Sequence, residues 1–174
     1  IYFSYYEGDK VSGVYDVIVL GGGPSGVTAA LRARELGATV ALIERDQLGG
    51  ICLNDGVVPT RVLARAARLV RDARQFPAYG LHGTAPEIDV LGLLERVRQT
   101  VETVHYKKHL REHLRAAGVV VFDGAGEARF LDPHTLVLPA GQRLEGERFI
   151  ICVGGQSRRL DVPGNEHALS YRDI

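Results

Sequence analysis

At 174 residues, with 45% apolar and 24% charged residues, the chain is long enough and balanced enough for one globular domain with a real core. Lysine plus arginine and aspartate plus glutamate both number 21, so the formal net charge is zero and nothing electrostatic argues for nucleic acid or an anionic membrane surface. No apolar run approaches the roughly 20 residues of a membrane-spanning helix, the start carries no signal-peptide pattern, and two cysteines a hundred residues apart make no disulfide framework; the expected setting is a reducing cytoplasm. The sequence contains no methionine, so residue 1 is not an initiator and the chain is expected to be part of a longer one.

Residues 1–13 (IYFSYYEGDKVSG) lack strand alternation and read as a linker, tag or added segment, with an edge strand or flap as the alternative. Val17, Ile18, Val19 and Leu20 then form an apolar run suited to a strand buried on both faces of a parallel sheet. It runs into G-x-G-x-x-G at Gly21, Gly23 and Gly26, with Pro24 and Ser25 between. Gly21 suits a tight turn, Gly23 leaves room for a pyrophosphate at the backbone, and Gly26 allows a helix to pack closely on the strand. Pro24 costs nothing in the first helical turn, whose N–H groups and partial positive charge favour an anion. By itself the pattern also fits a glycine turn without a ligand.

The spacing predicts a helix over residues 27–36, stopped at Gly37, and a second buried strand over 38–43. Glu44 ends that strand, 18 residues beyond Gly26, where a carboxylate meets ribose hydroxyls in dinucleotide-binding folds. Residues 45–58 read as a loop, in which Gly49 and Gly50 permit close backbone approach and Cys52 offers a thiol just ahead of the next helix. An amphipathic helix is expected over 59–75, with Val62, Leu63, Ala66, Leu69, Val70 and Ala73 inward and an arginine face outward. A connection follows over 76–86.

Residues 88–117 read as one long helix with Asp89 as a cap. His105, His109 and His113 recur every four residues on it; a metal is one reading, a solvated or intersubunit face the other, and no metal site is assigned. A third buried strand is expected over 119–122, returned parallel by the crossover. Glycines and prolines then punctuate short strands over 128–131, 135–138 and 142–144, a small antiparallel meander. Residues 149–153 (FIICV) form another apolar strand, ending at Gly154 and Gly155, where backbone again has room to approach a ligand. The expected fold is α/β: a Rossmann-like parallel sheet flanked by helices, with a small antiparallel β-meander.

Five stretches in this order, YDVIVLGGGPSGVTAA, ALIERD, LGGICLNDGVVPTRVL, GAGEARF and FIICVGGQSRRLDVPG, together resemble the flavoprotein disulfide reductases, the family of dihydrolipoamide dehydrogenase, glutathione reductase and mercuric reductase. The resemblance implies FAD as cofactor. Gly21, Gly23, Ser25 and Gly26 would cradle its pyrophosphate and Glu44 would hold the adenosine ribose, with Pro24 and Arg45 also counted among the cofactor-binding residues. Gly49, Gly50, Cys52 and Arg61 would lie at the flavin, Ala128 would present backbone to the adenine, and Val153, Gly154 and Gly155 would pass near the pyrophosphate. It implies an FAD-binding domain over 14–164 and an exit over 165–174 toward an absent NAD(P)-binding domain, with NAD(P)H and homodimerisation belonging to the parent protein.

The departures from that pattern are specific. The family pairs two cysteines five positions apart in a redox disulfide; here the first is Cys52 and the second position is Val57, so Cys52 is the single remaining redox-loop cysteine. The family's lysine is Arg61 and its threonine after the last strand is Val153. The chain therefore reads as the FAD-binding part of a flavin-dependent oxidoreductase with an incomplete disulfide or, alternatively, as a module that holds FAD or keeps the fold without turnover.

Overall fold

The computed structural model describes residues 14–84 and 86–170; the expected N-terminal linker lies outside them. In chain order the elements are β1 (Val14–Leu20), α1 (Pro24–Glu35), β2 (Val40–Ile43), α2 (Gly50–Asn54), α3 (Val57–Ala73), α4 (Val90–Lys108), α5 (Leu110–Ala116), β3 (Val120–Phe122), β4 (Arg129–Asp132), β5 (Thr135–Val137) and β6 (Arg143–Ile151), with short 3-10 turns at Phe76–Tyr79 and Asn165–His167. They fall into two compact units. One holds the described residues up to Gln47 with His113–Val153; the other holds Leu48–Glu112 with the described residues from Gly154 onward.

The first unit is built on one six-stranded sheet in the order β3-β2-β1-β6-β5-β4. β1 runs parallel to β2 and β6, and β2 parallel to β3, whereas β4, β5 and the start of β6 are antiparallel. The sheet is therefore mixed, and the expected meander is not a separate layer. The two stretches read as strands over 142–144 and 149–153 are one strand: β6 pairs with β5 through residues 143–145 and with β1 through 145–151. Gly146, which looked like a break, lies inside it. A Cβ there would stand 2.9 Å from Ile18 Cδ1, so the missing side chain makes room for a fully buried neighbour.

Alternation divides the core. Ile18, Leu20, Ala41, Ile43, Leu136 and Leu144 cluster with Tyr15 and Leu138 on one side, and Val120, Phe122, Ala128 and Phe149 pack against them. α1 packs along β1 and β2 with Ala30 fully buried. Arg34 closes its far end by donating from Nε to the Ala117 carbonyl at 3.1 Å and from a terminal nitrogen to the Ala38 carbonyl at 2.6 Å. Asp16 and Thr39 clamp the starts of β1 and β2: the Thr39 N–H and hydroxyl both donate to the Asp16 carboxylate, at 2.6 and 2.7 Å.

In the second unit α3 packs with both α2 and α4. Val62, Leu63, Ala66, Val70 and Ala73 are covered as the 3.6-residue period requires, but Leu69 is 51% exposed at the edge of that stripe. The long helix expected over 88–117 is two. Asp89 caps α4 by accepting from the Gly92 N–H at 3.0 Å, and the chain breaks at His109, whose φ of 43° and ψ of 44° are left-handed. No described helix is long and apolar enough to cross a membrane.

Candidate functional site

The glycine turn is assembled from three strand ends. β1 stops at Leu20, and its carbonyl accepts from the Cys152 N–H at 2.7 Å just past β6; the Gly21 N–H donates to the Ile43 carbonyl at the end of β2, also at 2.7 Å. Gly21 turns with φ of +101°, a conformation open to glycine. A Cβ on it would strike the Cys152 carbonyl, and one on Gly26 would strike the Gly21 carbonyl. Gly21 is thus required by the close approach of the turn to the end of β6, and Gly26 by the close approach of α1 to the turn. Cys152, which sequence reasoning left without a role, forms part of this wall; its place near the end of the apolar stretch 149–153 was the available signal.

α1 begins at Pro24 with Gly23 as its N-cap, and no side chain caps it. The first-turn N–H groups are therefore presented by backbone alone, with Pro24 and Ser25 exposed. Glu44 stands beside them. Its side chain is buried to 8% exposure and accepts the Gly22 N–H at 2.6 Å through one oxygen and the Asp46 N–H at 2.8 Å through the other. Each carboxylate oxygen has two acceptor positions, so one on each is left for a hydroxyl. A dinucleotide's pyrophosphate and ribose fit this donor and acceptor set.

The stretch after β3 is clipped to the same corner. Ala125 and Gly126 donate to the carbonyls of Glu44 and Arg45 at 2.9 and 3.0 Å, which sets the approach of the half-buried Ala128. Arg45 itself turns outward onto Asp46 at 2.8 Å, and this exposed pair raises the already high basicity of its guanidinium, chiefly through the Asp46 hydrogen bond. Val153 lies at the surface at the end of this unit, 69% exposed.

The remaining predicted residues lie in the second unit. Residues 45–58, expected to be a loop, contain α2 and the first turn of α3. Gly49 (φ +105°) starts α2 in a left-handed conformation, and Leu53 folds back over it: a Cβ on Gly49 would stand 2.6 Å from Leu53 Cδ2. Cys52 is inside α2, partly buried and a free thiol; Cys152 is also free. Val57 is the first residue of α3 and 44% exposed, and Arg61 lies exposed one turn on. Gly154 and Gly155 are exposed with open space where a side chain would be. The three histidines do not share one face: His105 meets Asn54, the His109 ring centre lies 5.2 Å from that of Tyr106 with the rings tilted by 56°, and His113 lies beyond the left-handed break. Among the described residues no group of three potential ligands converges on a metal position.

A parallel strand, glycine turn and helix closed by an acid at the end of the neighbouring strand define a Rossmann-like fold of the dinucleotide-binding type. The chain belongs to the family described as pyridine nucleotide-disulphide oxidoreductase, which it matches over residues 15–174. It is 36% identical to a dihydrolipoyl dehydrogenase of Zymomonas mobilis over 84% of this chain and 31% of that protein. It is 34% identical to a dihydrolipoyl dehydrogenase of Haloarcula marismortui over 95% of this chain and 36% of that one. A mercuric reductase of Lysinibacillus sphaericus is 31% identical over 87% of this chain and 27% of its own length. The chain thus spans about a third of the length of these curated relatives.

Proposed function

We propose that this chain is the FAD-binding portion of a flavin-dependent oxidoreductase that passes electrons from NAD(P)H to an acceptor, and that the whole protein works as a cytoplasmic homodimer. The observation that carries the reading is Glu44, a buried carboxylate held by the Gly22 and Asp46 N–H groups next to an uncapped helix N-terminus. Gly21, Gly23, Ser25 and Gly26 would receive the pyrophosphate on backbone N–H groups, Pro24 would keep the first turn in place, and Glu44 would accept from the ribose hydroxyls, with Arg45 at the rim. Ala128 would offer backbone to the adenine, and Val153, Gly154 and Gly155 would let the chain pass close to the phosphates. Gly49, Gly50, Cys52 and Arg61 would lie at the flavin, Arg61 as a fixed positive charge that cannot act as a base. Bound FAD supplies two-electron redox chemistry, accepting a hydride and returning the electrons to an acceptor.

Cys52 is the one sulfur the α2–α3 segment has to offer. A dithiol relay needs a second thiolate to close the disulfide, and Val57 presents only methyl groups. Electrons would therefore leave without an internal disulfide, or through Cys52 alone. The same substitution favours a second reading, a module that holds FAD without turnover. The visible spectrum of the purified chain after addition of FAD tests the first reading: a bound flavin band is expected, and a chain that stays colourless overturns it. Val57→Cys in the full-length protein separates the two readings. Disulfide reductase activity gained on that change alone identifies residue 57 as the block; no gain favours the module.

A further inference from the structure

Asn54 and His105 had no place in the site read from the sequence, yet the structure brings them together beside Cys52. His105 Nε2 on α4 lies 2.6 Å from Asn54 Oδ1 at the last residue of α2. Asn54 Nδ2 points to the Leu48 carbonyl, 3.5 Å away. Reversing that amide would set its oxygen against the Leu48 carbonyl oxygen, so Oδ1 is the group turned to the imidazole. Oδ1 only accepts, so the proton of this contact sits on His105 Nε2, in the neutral ring or the imidazolium alike.

α2 is five residues long. A helix of that length has too few backbone bonds to persist alone, so its direction is set by whatever fastens its ends. Leu53, 5% exposed, folds over the left-handed Gly49 that starts the same helix. At its end the chain turns through Asp55 and Gly56, whose N–H groups both donate to the Ile51 carbonyl, into α3, and the Asn54–His105 hydrogen bond adds a tie to α4, a helix of 19 residues. Cys52 lies two residues before Asn54.

We propose that His105 is a positioning residue: through Asn54 it holds the short helix bearing Cys52 at a fixed angle, so that the thiol meets its redox partner in one orientation. This rests on the redox role proposed for Cys52. The test is iodoacetamide labelling of the chain, with Cys52 and Cys152 followed separately by mass spectrometry; Cys152 belongs to the other unit and serves as the internal reference.

His105→Leu is expected to speed labelling of Cys52 by about fivefold, the effect of losing one hydrogen bond on local opening, with Cys152 unchanged. His105→Gln, which keeps an N–H donor, is expected to restore the original rate. Asn54→Ala is expected to speed labelling of Cys52 in the same direction as His105→Leu, and the double variant to give less than the two single effects combined. An unchanged Cys52 rate in His105→Leu and Asn54→Ala, parallel acceleration of Cys152, or failure of His105→Gln to restore the rate would each overturn the proposal. Labelling needs no flavin, so a chain that takes up no FAD defeats the flavin reading while leaving this result to stand or fall separately.

Discussion

Glu44 holds two N–H groups at once, so replacing it exposes the cost of a donor facing a donor. Glu44→Gln leaves one oxygen and puts an amide N–H against either Gly22 or Asp46. A buried donor left unsatisfied costs about 1–3 kcal/mol, and the denaturation midpoint of the variant is expected to fall accordingly. If Glu44 meets the ribose as proposed, FAD titration of the same variant is expected to show affinity weaker by about tenfold, the effect of losing one good hydrogen bond. Asp16, on β1, acts through Thr39 at the start of β2, the strand that Glu44 follows. Its carboxyl is held below its ordinary range, first by the backbone N–H of Thr39 and then by the Thr39 hydroxyl. A depressed folded value means the contribution is complete above the unfolded value, about 4, and is lost as pH falls through the folded one. Asp16→Asn is therefore expected to be less stable than the parent in urea at neutral pH, with the gap closing in strong acid; a gap that widens in acid would refute the assignment.

At the scale of elements, β6 is the decisive strand, because it joins the antiparallel end of the sheet to the parallel end. Its register on β1 pairs Gly146 with Tyr15 and Ile18 with Phe149, and the packed Ile18 side chain fills the space where a Gly146 side chain would stand. Gly146→Val would drive methyl groups into that side chain, and overpacking of this kind costs about 1–3 kcal/mol, readable in chemical denaturation. The strand was legible in the sequence only in halves. Gly146 reads as punctuation because a glycine's local preference is for turns, whereas here the reason for it is a neighbour 128 positions earlier in the chain. The single long helix expected over 88–117 failed for a similar reason. Its apolar positions keep helical spacing through residue 114, and nothing local in His109 announces a left-handed residue. Leu114 is completely buried in the unit of the sheet, and that packing decides where α5 lies.

At the scale of the whole molecule, the glycine turn and Glu44 belong to one compact unit, and Cys52, Val57 and Arg61 to the other. If FAD binds the folded chain alone, it stabilises by mass action. At a hundredfold excess over its dissociation constant the gain is about 2.7 kcal/mol, and the melting temperature is expected to climb with FAD concentration. A melting temperature indifferent to FAD would count against cofactor binding by these residues.

What the sequence determined by itself was local and periodic. The apolar run before Gly21, the glycine spacing, the helix stopped at Gly37 and the acid at Glu44 each follow from backbone sterics and short-range hydrogen bonding, and those residues lie close along the chain. The valine at position 57, where the resembled family carries a cysteine, is also read directly, being a matter of identity rather than geometry. Tertiary structure alone decided that β6 is one strand, that Cys152 walls the glycine turn, that both oxygens of Glu44 hold backbone N–H groups, and that His105 reaches Asn54. Each of these depends on groups distant in sequence or on which lone pair meets which donor, and a one-dimensional pattern carries no record of either.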